Sequence, residues 1–301
     1  MPEWIVRPYR GAADLRKMQA LVSAAHAQTD IRVGDLAWIV RGHTHRQLGL
    51  DIRLWEAGEA LAGWTFFQAS GAFHLCTAPG AASGELIDEL IATIEGMARE
   101  ATAAGDAVSA LSTYGIVAGR SPLDDALAAG LARNGFARET FGGGVLARDL
   151  TMLAEPSLPP GYRLATVDSP ERIIGRVEAH RAAFAPSELT RKTYERARQT
   201  WPYRPALDQI VETEAGEVVA FCTAWLDEAN AAGLLEPVGT HPDHQRRGLA
   251  SAACRAALLA LREAGARTVQ VAFAAPQARA LYESLGFSLA CPEFSYTKAL
   301  S

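Results

Sequence analysis

The chain has little of what specialised proteins are built from. Its 301 residues include four cysteines, Cys76, Cys222, Cys254 and Cys291, scattered with no CxxC pair and no histidine at metal-ligand spacing. That pattern argues against a disulfide framework and against a metal site, and leaves the thiols as core residues. No apolar run approaches the ~20 residues of a membrane span, and the opening MPEWIVRPYRGAADLR lacks the apolar stretch of a secretory signal. A cytoplasmic protein with no membrane partner is expected. Charge of one sign is missing too: 29 Lys and Arg stand against 34 Asp and Glu, for a net charge of −5. Without a basic surplus or a block of like charges, nucleic-acid binding is not expected, and any polyanion site must be local. What is present is ordinary globular material, 49% hydrophobic and 21% charged, in a chain long enough for two domains.

The same layout occurs twice. The segment TMLAEPSLPPG, with Pro156, Pro159 and Pro160, separates two stretches that each begin with a short strand-like run. After WIVRPYR, Leu15, Met18, Val22 and Ala25 recur at helical spacing from about Asp14 to Ala25. After GYRLATV, the pair Ser169-Pro170 starts a helix with Ile173, Ile174, Val177 and His180 on one stripe. Ile52 to Gln68 and Leu207 to Asp227 each read as two strands around the same tetrapeptide, Glu-Ala-Gly-Glu at 56–59 and at 214–217. LARNGF and YESLGF close later helices on a Gly cap followed by Phe. The offsets between equivalent glycines, 158 from Gly58 to Gly216 and 151 from Gly135 to Gly286, are nearly constant, which marks one α/β domain duplicated. The expected division is 1–150, a linker at 151–158, and 159–301. Hairpins mixed with helices predict a mixed, mostly antiparallel sheet flanked by helices in each half.

The chemistry concentrates in LLEPVGTHPDHQRRGLASAACRAALLAL, a strand, a polar turn and an alanine-rich helix. Free N–H groups at such a turn, with the positive end of the helix dipole, suit a pyrophosphate. Gly248 lets backbone approach a ligand, Ala250 keeps the surface low, and Arg246 and Arg247 supply charge. Leu249, Ala253, Ala256, Ala260 and Leu261 are expected to face the sheet.

Gln245-Arg246-Arg247-Gly248-Leu249-Ala250 resembles the Q/R-x-x-G-x-G/A signature of the GNAT superfamily of N-acetyltransferases, and ARALYESLGF at 278–287 resembles that family's A-x-x-L-Y-x-x-x-G-F helix. The resemblance covers about 159–301. It implies two tandem GNAT-like domains of α/β (α+β) class with a splayed sheet, and acetyl-CoA as cosubstrate with no metal. By the same resemblance, backbone groups of Val238, Gly239 and Thr240 hold the acetyl and pantetheine end. The amides of Arg246, Arg247, Gly248, Leu249, Ala250 and Ser251, after Gln245, hold the pyrophosphate. Pro237 lies in the strand concerned and, having no N–H, belongs at an edge or a bulge.

Acetyl transfer to an amine needs a base, an oxyanion donor and a proton for the thiolate. Tyr282 is the candidate acid, since the family places a tyrosine by the CoA sulfur and Ala278, Leu281, Tyr282 and Leu285 share one helical face. Glu236 is the candidate base, expected on the same strand face as Val238 and ~7 Å from it. His241 is its competitor. Relatives commonly carry the glutamate where this chain has Leu234, and an Asn where it has Ala275.

The equivalent loop of the first half, APGAASGELIDELI, has no basic residue, and Leu131 stands where Tyr282 would be. That half is therefore expected to be a degenerate, non-catalytic copy, a layout that resembles the mycothiol synthase-like bacterial tandem acetyltransferases. The expected reaction is acetylation of a primary amine of a small molecule by a monomer or homodimer. A protein or peptide N-acetyltransferase and a noncatalytic acyl-CoA sensor are the alternatives. In PSELTRKTYERARQTWPYRP, Trp201 and Tyr203 are candidates to line the acceptor site and Glu188 or Glu195 to attract a cation, against an amphipathic helix with aromatic packing.

Overall fold

The computed structural model describes residues 4–26, 31–42, 47–68, 70–117 and 119–300. The first repeat contributes β1 (Ile5–Pro8), α1 (Ala12–Ala24), α2 (Val33–Gly42), α3 (Leu48–Asp51), β2 (Ile52–Ala57), β3 (Ala60–Phe67), β4 (Phe73–Thr77), α4 (Gly84–Ala103), β5 (Ala110–Tyr114), α5 (Pro122–Arg133) and β6 (Ala137–Asp149). The second contributes β7 (Tyr162–Thr166), α6 (Pro170–Ala183), α7 (Arg191–Arg198), β8 (Asp208–Thr213), β9 (Val218–Asp227), β10 (Ala232–Thr240), α8 (Leu249–Glu263), β11 (Thr268–Phe273), α9 (Pro276–Ser284) and β12 (Ser288–Ala299). Apart from the short α3, the order of elements is the same in both. The paired turn glycines, Gly58 with Gly216 and Gly135 with Gly286, all have positive φ.

The compact units cut across the repeats. One is made of Val33–Gly42 and Val145–Ala290; the other holds the rest of the described chain. Helix α2 from the first repeat thus belongs to the second unit, and both β6 and β12 pass from one unit to the other. Residues 151–158, expected as a linker, lie inside the second unit, with Leu153 and Leu158 packed on its core. Their apolar side chains gain more from burial there than the neighbouring prolines gain from an open chain.

In the first unit β1, β2, β3 and β4 form an antiparallel sheet, and β5 pairs antiparallel with residues 295–299 of β12. In the second unit β7, β8, β9 and β10 run antiparallel, β11 joins β10 in parallel, and β6 follows β11. Strand β9 is buried from end to end. Its Cys222, Ala224 and Leu226 face a core with Leu235, Leu249, Ala253, Ala257 and Leu261, while Phe221 packs with Val177 of α6 and Tyr194 of α7, and Trp225 with Ala37 of α2.

Two helical stripes differ from expectation. On α8 the buried residues are Leu249, Ala252, Ala253, Cys254, Ala257, Leu258 and Leu261, with Ala256 and Ala260 at the flank. On α6 Val177 and His180 are buried as expected, but Ile174 is exposed and Arg176 takes the innermost place. An arginine accepts that position because Asp208 lies beside it at 3.7 Å, both with fully buried side chains, and because the guanidinium stacks on Phe221 at 3.6 Å.

Candidate active site

The candidate site lies where two strands stop pairing. Strand β10 pairs with β11 at only three positions, Ala232 with Thr268, Gly233 with Val269 and Leu234 with Gln270. Beyond Leu234 it runs on to Thr240 against β9 alone. The interruption coincides with a bulge: Leu235 lies opposite Ala224 and Val238 opposite Cys222, so Glu236 and Pro237 share the space of one partner residue. Pro237 has no N–H to give a ladder, as expected of a bulge position. The bulge corrects the placement of Glu236. An uninterrupted strand would carry Glu236 and Val238 on one face, but here Leu235 and Val238 pack into the same core, so the alternation is reset between them. Val238, Gly239 and Thr240 lie beyond the break, on backbone that β11 does not cover. Gly239 is required by packing, since a Cβ there would lie 2.4 Å from Cζ of Phe221 and 3.1 Å from Ala183.

The turn before α8 follows directly on the end of β10. Arg246 and Gly248 both have positive φ, 60° and 79°, which turns successive amides outward. Around Gly248 a Cβ would meet nothing within 4 Å, so glycine serves the backbone angle and an unobstructed surface. The ladder of α8 begins with Ala252 N–H donating to the Gly248 carbonyl at 3.0 Å, which leaves the N–H groups of Leu249, Ala250 and Ser251 ahead of it, and no side chain caps them. Arg247 Nη1 donates to Tyr162 Oη at 2.9 Å, and Tyr162 Oη lies 3.0 Å from His244 Nδ1, which ties the turn to β7. Gln245 and Arg246 are exposed beside it.

Tyr282 is 6% exposed and packs with Leu285 in the α8-side core, with Ala278 and Leu281 half-buried next to it, as the helical face predicts. Burial, together with Cys254, Glu236 and Cys222 nearby, raises its phenol well above the ordinary value, so it keeps its proton. Glu236 is half-buried, and desolvation reinforced by Asp35 pushes its carboxyl up to about 8. Its backbone carbonyl accepts from Trp225 Nε1 at 2.5 Å. His241 is placed elsewhere: its Nδ1 accepts from Asp243 N–H at 3.3 Å and caps the short turn Pro242–His244, while its ring borders a groove beside α6 with Glu171, Glu178 and Glu217.

On the other side of β9, Tyr203 packs edge-on against Trp225, with ring centroids 6.1 Å apart, and its hydroxyl donates to Asp208 Oδ2 at 3.0 Å. The hydroxyls of Tyr194 and Thr223 also donate to Asp208. Helix α7 is the amphipathic element of this segment, and Glu195 pairs with Arg191 at its surface. His180 lies 5.6 Å from Trp38 and 5.8 Å from Phe221, and burial with Arg176 nearby brings it down to about 3, so it is neutral. Sequence reasoning missed Tyr162, His244, Trp225 and all of α2. Of these only Trp225, in an apolar strand next to the motif, carried any local signal.

In the first repeat the equivalent helix α4 is closed. Ser83 Oγ accepts from Leu86 N–H at 3.2 Å, Ser83 N–H donates to Ala81, and Ala81 N–H to Ala78, so the turn spends its donors internally. Glu85 adds negative charge in the first turn, and Leu131 is fully buried where Tyr282 stands in the second repeat.

Residues 174–287 match the model of the acetyltransferase (GNAT) family. Among curated proteins no sequence relative matches. Among solved structures, a GCN5-related N-acetyltransferase from Sphaerobacter thermophilus shares 17% identity at a TM-score of 0.64, over 98% of this chain and 95% of its own. A tandem GNAT protein from the clavulanic acid biosynthesis pathway shares 17% identity at 0.66, over 99% and 98%. A GCN5-related N-acetyltransferase from Kribbella flavida shares 19% at 0.53, over 94% and 96%. The strands that part, the open helix N-terminus and the buried tyrosine all lie inside the segment that matches the acetyltransferase (GNAT) family model, residues 174–287, and the fold is shared along the chain with a tandem GNAT protein.

Proposed function

We propose that the second unit transfers the acetyl group of acetyl-CoA to the primary amine of a small molecule, and that the first repeat does no chemistry. The observation that carries this reading is the loss of pairing between β10 and β11 after Leu234, next to an uncapped α8. Backbone at Val238, Gly239 and Thr240, left without a partner on the β11 side, suits the amide-bearing pantetheine arm and the thioester carbonyl. The turn from Gln245 through Ser251 suits the pyrophosphate, with amides, a helix dipole and the Arg246 charge converging there.

Glu236 takes the proton that the amine nitrogen loses as it bonds to the acetyl carbon. As the carbon–sulfur bond breaks, Tyr282 gives its proton to the departing thiolate. A carboxyl at about 8 is mostly protonated at neutral pH, so turnover rises with pH until Glu236 is ionised. The net charge of −5 favours a cationic acceptor over an acidic one. In the first repeat, the Ser83 cap, Glu85 and Leu131 remove the anion site and the acid together.

Calorimetric titration with acetyl-CoA, followed by an assay of thiol release across a panel of amines, tests the reading. Saturable binding with amine-dependent thiol release supports it. Binding without turnover on any amine replaces it with an acyl-CoA sensor, turnover on peptides alone replaces the acceptor class, and no binding overturns it.

A further inference from the structure

Helix α2 is separated in sequence from the acetyltransferase segment by well over a hundred residues, yet it folds in the second unit and packs across β9 and β10. Its contact is close. A Cβ at Gly34 would lie 2.3 Å from Cγ of Trp225, so the helix backbone rests on the indole, and Ala37 and Trp38 join the same cluster with Leu234. The same indole carries the Nε1 that donates to the Glu236 carbonyl at 2.5 Å. The helix thus presses on a side chain that anchors the bulge, and the next residue along this helix, which packs on β10, is the half-buried Asp35, whose charge helps to raise Glu236. Arg41 Nε, at the other end of the helix, donates to Thr200 Oγ1 at 3.0 Å and fixes the helix against the segment after α7.

We propose that α2 is a working part of the second unit's site: Gly34 and Asp35 are positioning residues for Glu236, the first acting through the Trp225 ring and the second through its charge. The role assigned to Glu236 rests on the function proposed above; the placement does not. Among the described residues, Asp35 of α2 raises Glu236, and Glu236 acts in turn on Tyr282 of α9, which also has Cys222 of β9 and Cys254 of α8 about it. Asp35 holds a proton on Glu236 that a neutral neighbour would let go at lower pH. Gly34 admits the indole in the position from which its Nε1 donates to the bulge carbonyl.

The test is a titration of the full chain carrying ¹³C-labelled glutamate carboxyls, with the Glu236 signal identified as the one missing from Glu236→Gln. Asp35→Asn moves that signal's midpoint to lower pH, and Asp35→Glu returns it toward the wild-type value. The acid limb of the kcat/KM profile moves in the same direction, with acetyl-CoA affinity unchanged. Gly34→Ala lowers kcat by about 10- to 100-fold through displacement of the indole, again with acetyl-CoA affinity kept. A Glu236 midpoint that is the same in Asp35→Asn as in the wild type overturns the inference, and the titration reads this even where Gly34→Ala fails to fold. Absence of turnover on every amine, with the midpoint moving as described, overturns the proposed function and leaves the coupling of α2 to Glu236 standing.

Discussion

Replacing Glu236 by Gln makes the folded chain less sensitive to alkaline pH. The carboxyl stands at about 8 in the folded state against an ordinary 4.5, so between those values the folded chain holds a proton that the unfolded chain has released. Folded molecules then bind more protons than unfolded ones, and stability falls as pH rises through that window. The full difference corresponds to about 5 kcal/mol, at about 1.4 kcal/mol for each step of one in pKa. Because Glu236 is only half-buried and water screens part of the penalty, about 2 kcal/mol is the expected loss. Gln has nearly the same shape and does not titrate. Urea unfolding of both proteins at a series of pH values measures the effect: the wild type loses about 2 kcal/mol relative to Glu236→Gln from about pH 5 to about pH 8.5. A difference between the two that stays constant across that range refutes the argument, because it means the bulge leaves Glu236 as solvated as in the unfolded chain.

Tyr282→Phe is expected to lower kcat by about 10²-fold or more while the calorimetric affinity for acetyl-CoA stays within about twofold, because the ring still fills its place and only the proton donor is lost. Gly248→Ala forces a side chain onto a φ of 79° at a strain of about 1 kcal/mol or more, and weakens acetyl-CoA binding by about tenfold as the turn's amides shift, read by the same titration. Tyr162→Phe removes the partner of Arg247 and His244 and weakens acetyl-CoA binding by a smaller factor of about 2–5, with kcat on the bound substrate preserved. Arg176→Ala leaves Asp208 without its buried counter-charge and is expected to lower unfolding free energy by about 3–5 kcal/mol in urea.

Much of the site was legible because its parts are local. A glycine at a helix start, arginines before it, and a tyrosine at a fixed distance from Gly-Phe are statements about residues a few positions apart, and local backbone geometry carries them directly into the structure. Gly248 with its positive φ, the uncapped α8 and the inward face of Ala278, Leu281, Tyr282 and Leu285 follow from that. Glu236 was singled out for its chemistry, but its side-chain direction could not be read, because a bulge of one residue reverses an alternation that sequence can only count. Arg176 was missed because a charge in a helical stripe looks like a surface position until a buried aspartate and an aromatic face meet it from distant strands. His241 was named for its chemistry as the alternative base; that its Nδ1 caps the turn it sits in needed the structure.

The sequence by itself determined the duplicated order of elements and the open helix start in the second copy, because periodicity, turn glycines and caps act over a few residues. Only the tertiary structure decided that α2 belongs with the second unit, that β6 and β12 cross between units, and that Trp225 reaches the Glu236 carbonyl. These depend on which apolar faces meet, and burial rewards any surface that fits, whatever its distance along the chain.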